Sequence, residues 1–255
     1  MSPALPDRAA RFAIYAAPGS GSADSIGVAL RERAERWLGR SVTGEPVRPA
    51  APAGWARATV DAMTVSARRY GFHGTLKPPF RLADGRTQED LDAALARFAA
   101  HRAGAVIPGL SLASMGGFFA LVPGAEAPGL HALADEVVRG LDDFRAPPTA
   151  AELDRRNPAS LAPRQRELLQ RWGYPYLLDE FRFHLTLTDR VPEDDHPRVR
   201  RVLSDWFAPV LGASVPIDGL ALFKEAEPGA PFALHSVHHL PPACARRQAA
   251  ELADS

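Results

Sequence analysis

The chain has 255 residues, of which 46% are hydrophobic and 24% charged, and its thirty basic side chains are matched by thirty acidic ones. A net charge of zero argues against an extended nucleic-acid surface, whose affinity comes from neutralising many phosphates, but leaves room for a small basic pocket. The composition is that of an ordinary globular protein, long enough to bury a proper core in one large domain or two lobes.

Residues 1–11 lack the apolar run of a signal peptide and no stretch approaches a membrane span, so a cytoplasmic protein with no membrane partner is expected. Residues 11–17 read as a first strand, ended by Pro18-Gly19. The run at 17–22, Ala-Pro-Gly-Ser-Gly-Ser, has the look of a phosphate cradle but lacks the Gly-Lys-Ser/Thr ending of a P-loop, and is read as a turn. Ile26, Leu30, Ala34, Trp37 and Leu38 recur at helical spacing and predict a helix over 24–38, stopped by Gly39. Residues 43–55 are rich in Pro and Gly and predict a loop.

Residues 64–69 lead into a predicted strand at 70–76, closed by Pro78-Pro79. Thr87 and Asp90 resemble a capping box at the start of a helix over 87–100, with Leu91, Leu95 and Phe98 on its inner face. Short strands are expected near 106–107, 110–112 and 117–122, and a long helix over 128–144. A polar, Arg-rich stretch, 145–171, contains a helix candidate at 163–172. A strand at 181–188, a helix at 196–207 and strands near 217–223 and 232–237 complete the chain, whose single cysteine, Cys244, permits neither an internal disulfide nor a cysteine-based zinc cage.

Two of these strands carry the same string. Phe72-His73-Gly74-Thr75-Leu76 returns as Phe183-His184-Leu185-Thr186-Leu187, the two histidines standing 111 residues apart. On a strand, side chains two apart share a face, so each His lies beside its Thr. A lone His on a strand is more often structural than catalytic. A folding repeat would need only the Phe and Leu, whereas here His and Thr recur with them. Two imidazoles can divide acid and base duties near neutral pH, and each Thr hydroxyl can donate to a non-bridging phosphate oxygen. Cleavage of a phosphodiester, above all a cyclic one, uses all four groups and needs no metal or cofactor.

The only lysines are Lys77 and Lys224. Lys77 falls two residues after Thr75 and would share its face if the strand lasts that far. A compact ammonium there would offset negative charge at phosphorus.

The chain resembles the two-histidine (2H) phosphoesterase superfamily, marked by a pair of His-x-Thr/Ser-x motifs. The closer resemblance is to the branch encoded with bacterial phosphonate-degradation operons. It is carried by residues 70–77 and 181–188, by Phe144-Arg145-Ala146-Pro147, and by residues 171–176, Arg-Trp-Gly-Tyr-Pro-Tyr. The resemblance implies one α+β, bilobal, pseudo-two-fold domain over 1–255, with two antiparallel-rich sheets flanked by helices around a central cleft. Its motif lobes would lie near 64–122 and 176–240. It also implies that His73, Thr75, His184 and Thr186 are the catalytic positions and that the substrate is a small cyclic phosphate, with cyclic ribose phosphates as the guess for this branch.

Candidates for substrate contact around that core are Tyr70, Arg145, Tyr174, Tyr176 and Arg182, together with Lys77 and Lys224. Tyr15 on the first strand either reaches the cleft or is an ordinary strand aromatic. Trp172 reads as packing. His235, His238 and His239 invite a metal reading, but no acidic set completes it. His101, His131 and His196 read as surface residues. Two other functions stay open: an RNA end-processing or 2′–5′ RNA ligase-like enzyme, and a phosphate-ligand binding protein without turnover.

Overall fold

The alternation of side chains along the first strand sets up two layers. The computed structural model describes residues 10–21 and 24–241. Residues 1–9, Ser22 of the early turn, and Cys244 lie outside them. In β1 (Arg11–Ala16), Phe12, Ile14 and Ala16 belong to the main core, whereas Ala13 and Tyr15 belong to a smaller cluster with Val42, Phe223 and Phe232.

Helix α1 (Ser25–Leu38) begins at Asp24, whose carboxylate accepts from the Gly27 amide, and ends at Gly39 in the left-handed conformation. Two six-residue helices follow the Pro- and Gly-rich loop, α2 (Arg57–Ala62) and α3 (Val65–Tyr70), and then β2 (Gly74–Phe80). Helix α4 (Gln88–Ala100) starts at the expected capping box. Next come β3 (Ala105–Ile107), the hairpin of β4 (Ser111–Met115) and β5 (Phe118–Val122), and α5 (Pro128–Gly140). The polar stretch holds α6 (Ala150–Asp154) and α7 (Pro163–Trp172). The chain continues through β6 (Leu185–Thr186), α8 (His196–Phe207), β7 (Val215–Ile217), β8 (Gly219–Glu225) and β9 (Ala233–His239).

Among the described residues, seven strands form one antiparallel sheet in the order β4-β5-β6-β2-β1-β8-β9, and β3 pairs with β7 in a separate ribbon. The fold is mixed α/β with a large antiparallel sheet. The two sheets expected around a cleft are one hydrogen-bonded sheet here, joined at its middle by a single pair, Gly74 opposite Leu185. Apolar faces of α1, α4, α5 and α8 meet in the main core, among them Trp37, Leu95, Val137 and Phe207. The Trp37 indole donates to the Leu187 carbonyl at 2.8 Å and ties α1 to the second motif. No helix among the described residues is long and apolar enough to cross a membrane.

The motif strands are shorter than their apolar runs suggest. Residues 65–70 are helical because the Asp189 carboxylate accepts from the Ser66 and Ala67 amides at the start of α3, a cap supplied from far along the chain. Of residues 181–188 only Leu185 and Thr186 pair as a strand, after a single 3-10 turn at Leu178–Glu180. Pro78 and Pro79 lie inside β2 rather than closing it. Phe12 faces Phe80 and Ile14 faces Lys77, so a step of two on β1 matches a step of three on β2. This bulge accommodates prolines, which have no N–H for the ladder.

Candidate active site

Gly74 and Leu185 stand opposite each other on antiparallel strands, and Leu185 is fully buried in the main core. Their neighbours therefore point to the other face, in a crossed arrangement: His73 is beside Thr186, and Thr75 is beside His184. The cavities follow this crossing. One of about 390 Å³ is lined by His73, Thr75 and Thr186, and one of about 710 Å³ by His184 and Thr75. The two adjoin through Thr75, Phe118, Tyr174 and Arg190, which line both.

Glycines fix the approach of the two motifs. A Cβ on Gly74 would lie 2.3 Å from the ring of Phe183, so the first motif has Gly where the second has Leu. Gly71 has φ 76, and a Cβ there would meet Val42 at 2.2 Å. It ends α3 and turns its carbonyl to His73.

Each imidazole is oriented through Nδ1. In His73 this nitrogen lies 2.8 Å from the Gly71 carbonyl, and in His184 2.7 Å from the Arg182 carbonyl. A carbonyl only accepts, so Nδ1 carries the proton and Nε2 is left for chemistry. The His73 ring also stacks on Tyr15, centroids 3.8 Å apart and planes 23° from parallel. His184 has Phe118 at 5.7 Å in the corresponding place. Desolvation pushes His73 down to about 4, the Gly71 carbonyl opposes that shift, and the nearby His184 adds to it. His73 is therefore a neutral imidazole at neutral pH. Burial raises the Tyr15 phenol well above its ordinary value, which keeps it protonated.

The structure divides the remaining candidates. Tyr70 lines the His73 cavity and stacks on Phe232, and Tyr15 reaches the same cavity with its ring against His73. Tyr174, Tyr176 and Arg182 line the His184 cavity, with Tyr176 47% exposed.

Three candidates lie elsewhere. Lys77 pairs with Ile14, which faces the main core, whereas Thr75 pairs with Tyr15 on the opposite face. The irregular register between these pairs breaks the alternation and turns Lys77 toward α5. There its buried ammonium donates to the Val138 carbonyl and to Asp142. Lys224 pairs with Phe12, again on the main-core face, and lies over that ring at 5.7 Å. Arg145 is held by both carboxylate oxygens of Asp142 and lines a third cavity, not the two that carry the motifs.

Of the C-terminal histidines, His238 pairs with Asp92 and His235 lies beside Gln88. His196 reaches the Val191 carbonyl, and His131 packs edge-on to Phe181. Trp172 packs as expected, against the cluster of Val138 and Leu168.

Sequence reasoning missed Arg190, Arg11, Arg156 and Phe118. Period two would have found the first two. Arg190 continues the series 184, 186, 188, and Arg11 precedes Tyr15 by four. Phe118 and Arg156 reach the cavities only through the tertiary fold, and no local signal marks them.

The chain belongs to the family described as "Protein of unknown function (DUF1045)", matched over residues 75–233, a span that includes Thr75, His184 and Thr186 and begins two residues after His73. It is similar to two curated proteins named "Ribose 1,5-bisphosphate phosphokinase PhnN". One, from Janthinobacterium sp. (strain Marseille), is 37% identical over 228 residues, covering 87% of this chain and 49% of that protein. The other, from Laribacter hongkongensis (strain HLHK9), is 36% identical over 225 residues, 88% of this chain and 50% of that protein. The chain thus spans about half the length of the curated relatives it matches. A solved structure described as "Crystal structure of phosphoesterase" aligns over 91% of this chain and 98% of its own, at 13% identity and a TM-score of 0.40, too slight a likeness to carry an argument.

Proposed function

We propose that this member of the DUF1045 family is a two-histidine phosphoesterase of bilobal, pseudo-two-fold organisation, which hydrolyses a cyclic phosphodiester on a small phosphorylated sugar. The observation that carries the reading is the crossed placement of His73 with Thr186 and His184 with Thr75 around the Gly74–Leu185 pair.

The neutral His73 takes a proton from water through Nε2. The water oxygen attacks phosphorus, and the bond from phosphorus to the ring oxygen breaks. His184, protonated at Nε2, gives its proton to the departing alkoxide. The product is a phosphomonoester with a free hydroxyl, and proton exchange with solvent restores both imidazoles. Thr75 and Thr186 donate to the non-bridging oxygens, which gain charge in the transition state. Arg190, on the border of both cavities, supplies the positive charge that the sequence had suggested for Lys77. The scheme calls on no metal or cofactor.

The relatives' name supports the substrate class. A phosphokinase needs a loop that cradles nucleotide phosphates, and residues 17–22 lack the P-loop ending. We assign the kinase name to the part of those proteins that this chain does not span, and phosphorylated ribose to the chemistry that the two parts share. Phosphonate breakdown is the proposed setting and the cytoplasm the proposed compartment.

Purified protein incubated with a panel of cyclic sugar and nucleotide phosphates, with and without EDTA, tests the reading. Ring opening to a monoester, unchanged by EDTA, is expected. No opening of any cyclic phosphate would overturn it.

A further inference from the structure

A third cavity, of about 330 Å³, shares Arg11, Tyr70, Pro79 and Arg156 with the cavity that holds His73. Among the described residues, six arginines line it, Arg11, Arg69, Arg81, Arg145, Arg155 and Arg156, against one carboxylate, Glu152. In a chain without net charge this is a strong local imbalance.

The arginines are held from behind. Glu225, with no exposed surface, accepts from Nε of Arg11 and Nη2 of Arg69. Glu152 accepts from Arg81, and Asp142 from Arg145. Arg156 lies over the Tyr174 ring at 4.7 Å. Arg155 is fixed by Nε donating to the Ala151 carbonyl, a bond that involves neither of its Nη groups. Three carboxylates thus fix the positions of four of the six guanidiniums without matching the charge of the set, and one of the three, Asp142, also serves Lys77. Like charges gathered this way repel until an anion enters.

We propose that this cavity is a subsite for a second phosphate of the substrate, a terminal phosphomonoester on the same small sugar whose cyclic diester lies at His73 and His184. The proposal rests on the phosphoesterase reading above. Guanidinium forks suit the oxygens of a phosphate bidentately, and a monoester brings nearly twice the charge of a diester to meet the excess. Arg11 and Arg156 line both cavities, so the two anions are neighbours on one ligand. The small volume favours a terminal group over a polymer backbone.

A matched pair of ribose cyclic phosphodiesters tests this, differing only in whether the hydroxyl farthest from the cyclic ring carries phosphate. For the wild type, kcat/KM is expected to favour the phosphorylated member by roughly tenfold or more, chiefly through KM, the scale of one hydrogen bond to a charged group. In Arg69→Gln and in Arg155→Gln that ratio should fall toward one. Arg155 is exposed, so its variant serves if Arg69→Gln fails to fold. Equal kcat/KM for the two substrates, or a preference that the variants leave intact, overturns the proposal. Calorimetry with inorganic pyrophosphate separates it from the catalytic reading. If neither diester is opened, the phosphoesterase reading fails, while pyrophosphate binding weakened by Arg155→Gln still supports the subsite. Binding unchanged in that variant overturns it.

Discussion

His73 and His184 are held by the same bond: each places Nδ1 against the carbonyl two residues upstream, at 2.8 Å from Gly71 and 2.7 Å from Arg182. Both rings thereby carry a proton on Nδ1, which leaves Nε2 as the atom that would exchange a proton in the proposed reaction. With Gly74 opposite Leu185 between them, the pair forms a local two-fold arrangement in which either histidine has the other motif's threonine as neighbour.

That arrangement depends on the missing side chain at position 74. Gly74→Ala places a methyl within van der Waals overlap of the Phe183 ring and should cost about 1–3 kcal/mol, the usual range for overpacking. Urea unfolding of Gly74→Ala, Phe183→Leu and the double variant checks this. The double variant should be more stable than the sum of the single effects, because the smaller residue makes room for the methyl.

Tyr15 acts on His73 through its ring. Tyr15→Phe keeps the stack and should leave the pH profile of kcat/KM in place. Tyr15→Leu opens the stack to water, so the His73 pKa should rise from about 4 toward its ordinary value. The acid limb of the profile, where the base is lost to protonation, should then move to higher pH. An NMR titration of the imidazole follows the shift without relying on turnover.

The same lowered pKa predicts a stability effect. Between 6.5 and about 4 the unfolded chain binds a proton at position 73 that the folded chain does not. Stability from this group is complete above 6.5 and is lost as pH falls through that window, by up to about 3 kcal/mol. Urea unfolding at pH 7 and pH 4 should show a larger loss for the wild type than for His73→Asn, which has no imidazole to charge.

Lys77 and Thr75, two residues apart, should separate stability from chemistry. Lys77→Met removes a buried ammonium from Val138 and Asp142 and should lower stability by about 1–3 kcal/mol, with kcat little changed. Thr75→Val keeps the shape of its side chain and should lower kcat, with a smaller effect on unfolding. Thermal denaturation beside steady-state kinetics distinguishes the two outcomes.

Much of the site could be read from the chain because period two is local. His73 and Thr75 share a face by spacing alone, as do His184 and Thr186, and the capping box of α4 is a three-residue signal. Lys77 broke the reading because a bulge in β2 reverses alternation between Thr75 and Lys77, and register shifts leave little trace in a single sequence. The helix at 65–70 depends on a cap from Asp189, more than a hundred residues away. The polar, Arg-rich stretch 145–171 offered the sequence reading only a helix candidate and Arg145, yet it contributes Arg145, Arg155 and Arg156 to one cavity with Arg11 and Arg69 from elsewhere in the chain. Such convergence is a property of the fold and not of any window of sequence.

Single-turnover hydrolysis of a ribose cyclic phosphate by the wild type, His73→Ala, His184→Ala and the double variant tests the central claim most directly. In the proposed reaction general acid and base act in the same step, so each single variant should lose about 10²–10⁴ in rate. The double variant should lose much less than the product of the two losses. Wild-type turnover in the double variant, or a loss confined to only one of the two histidines, would contradict the paired acid–base site.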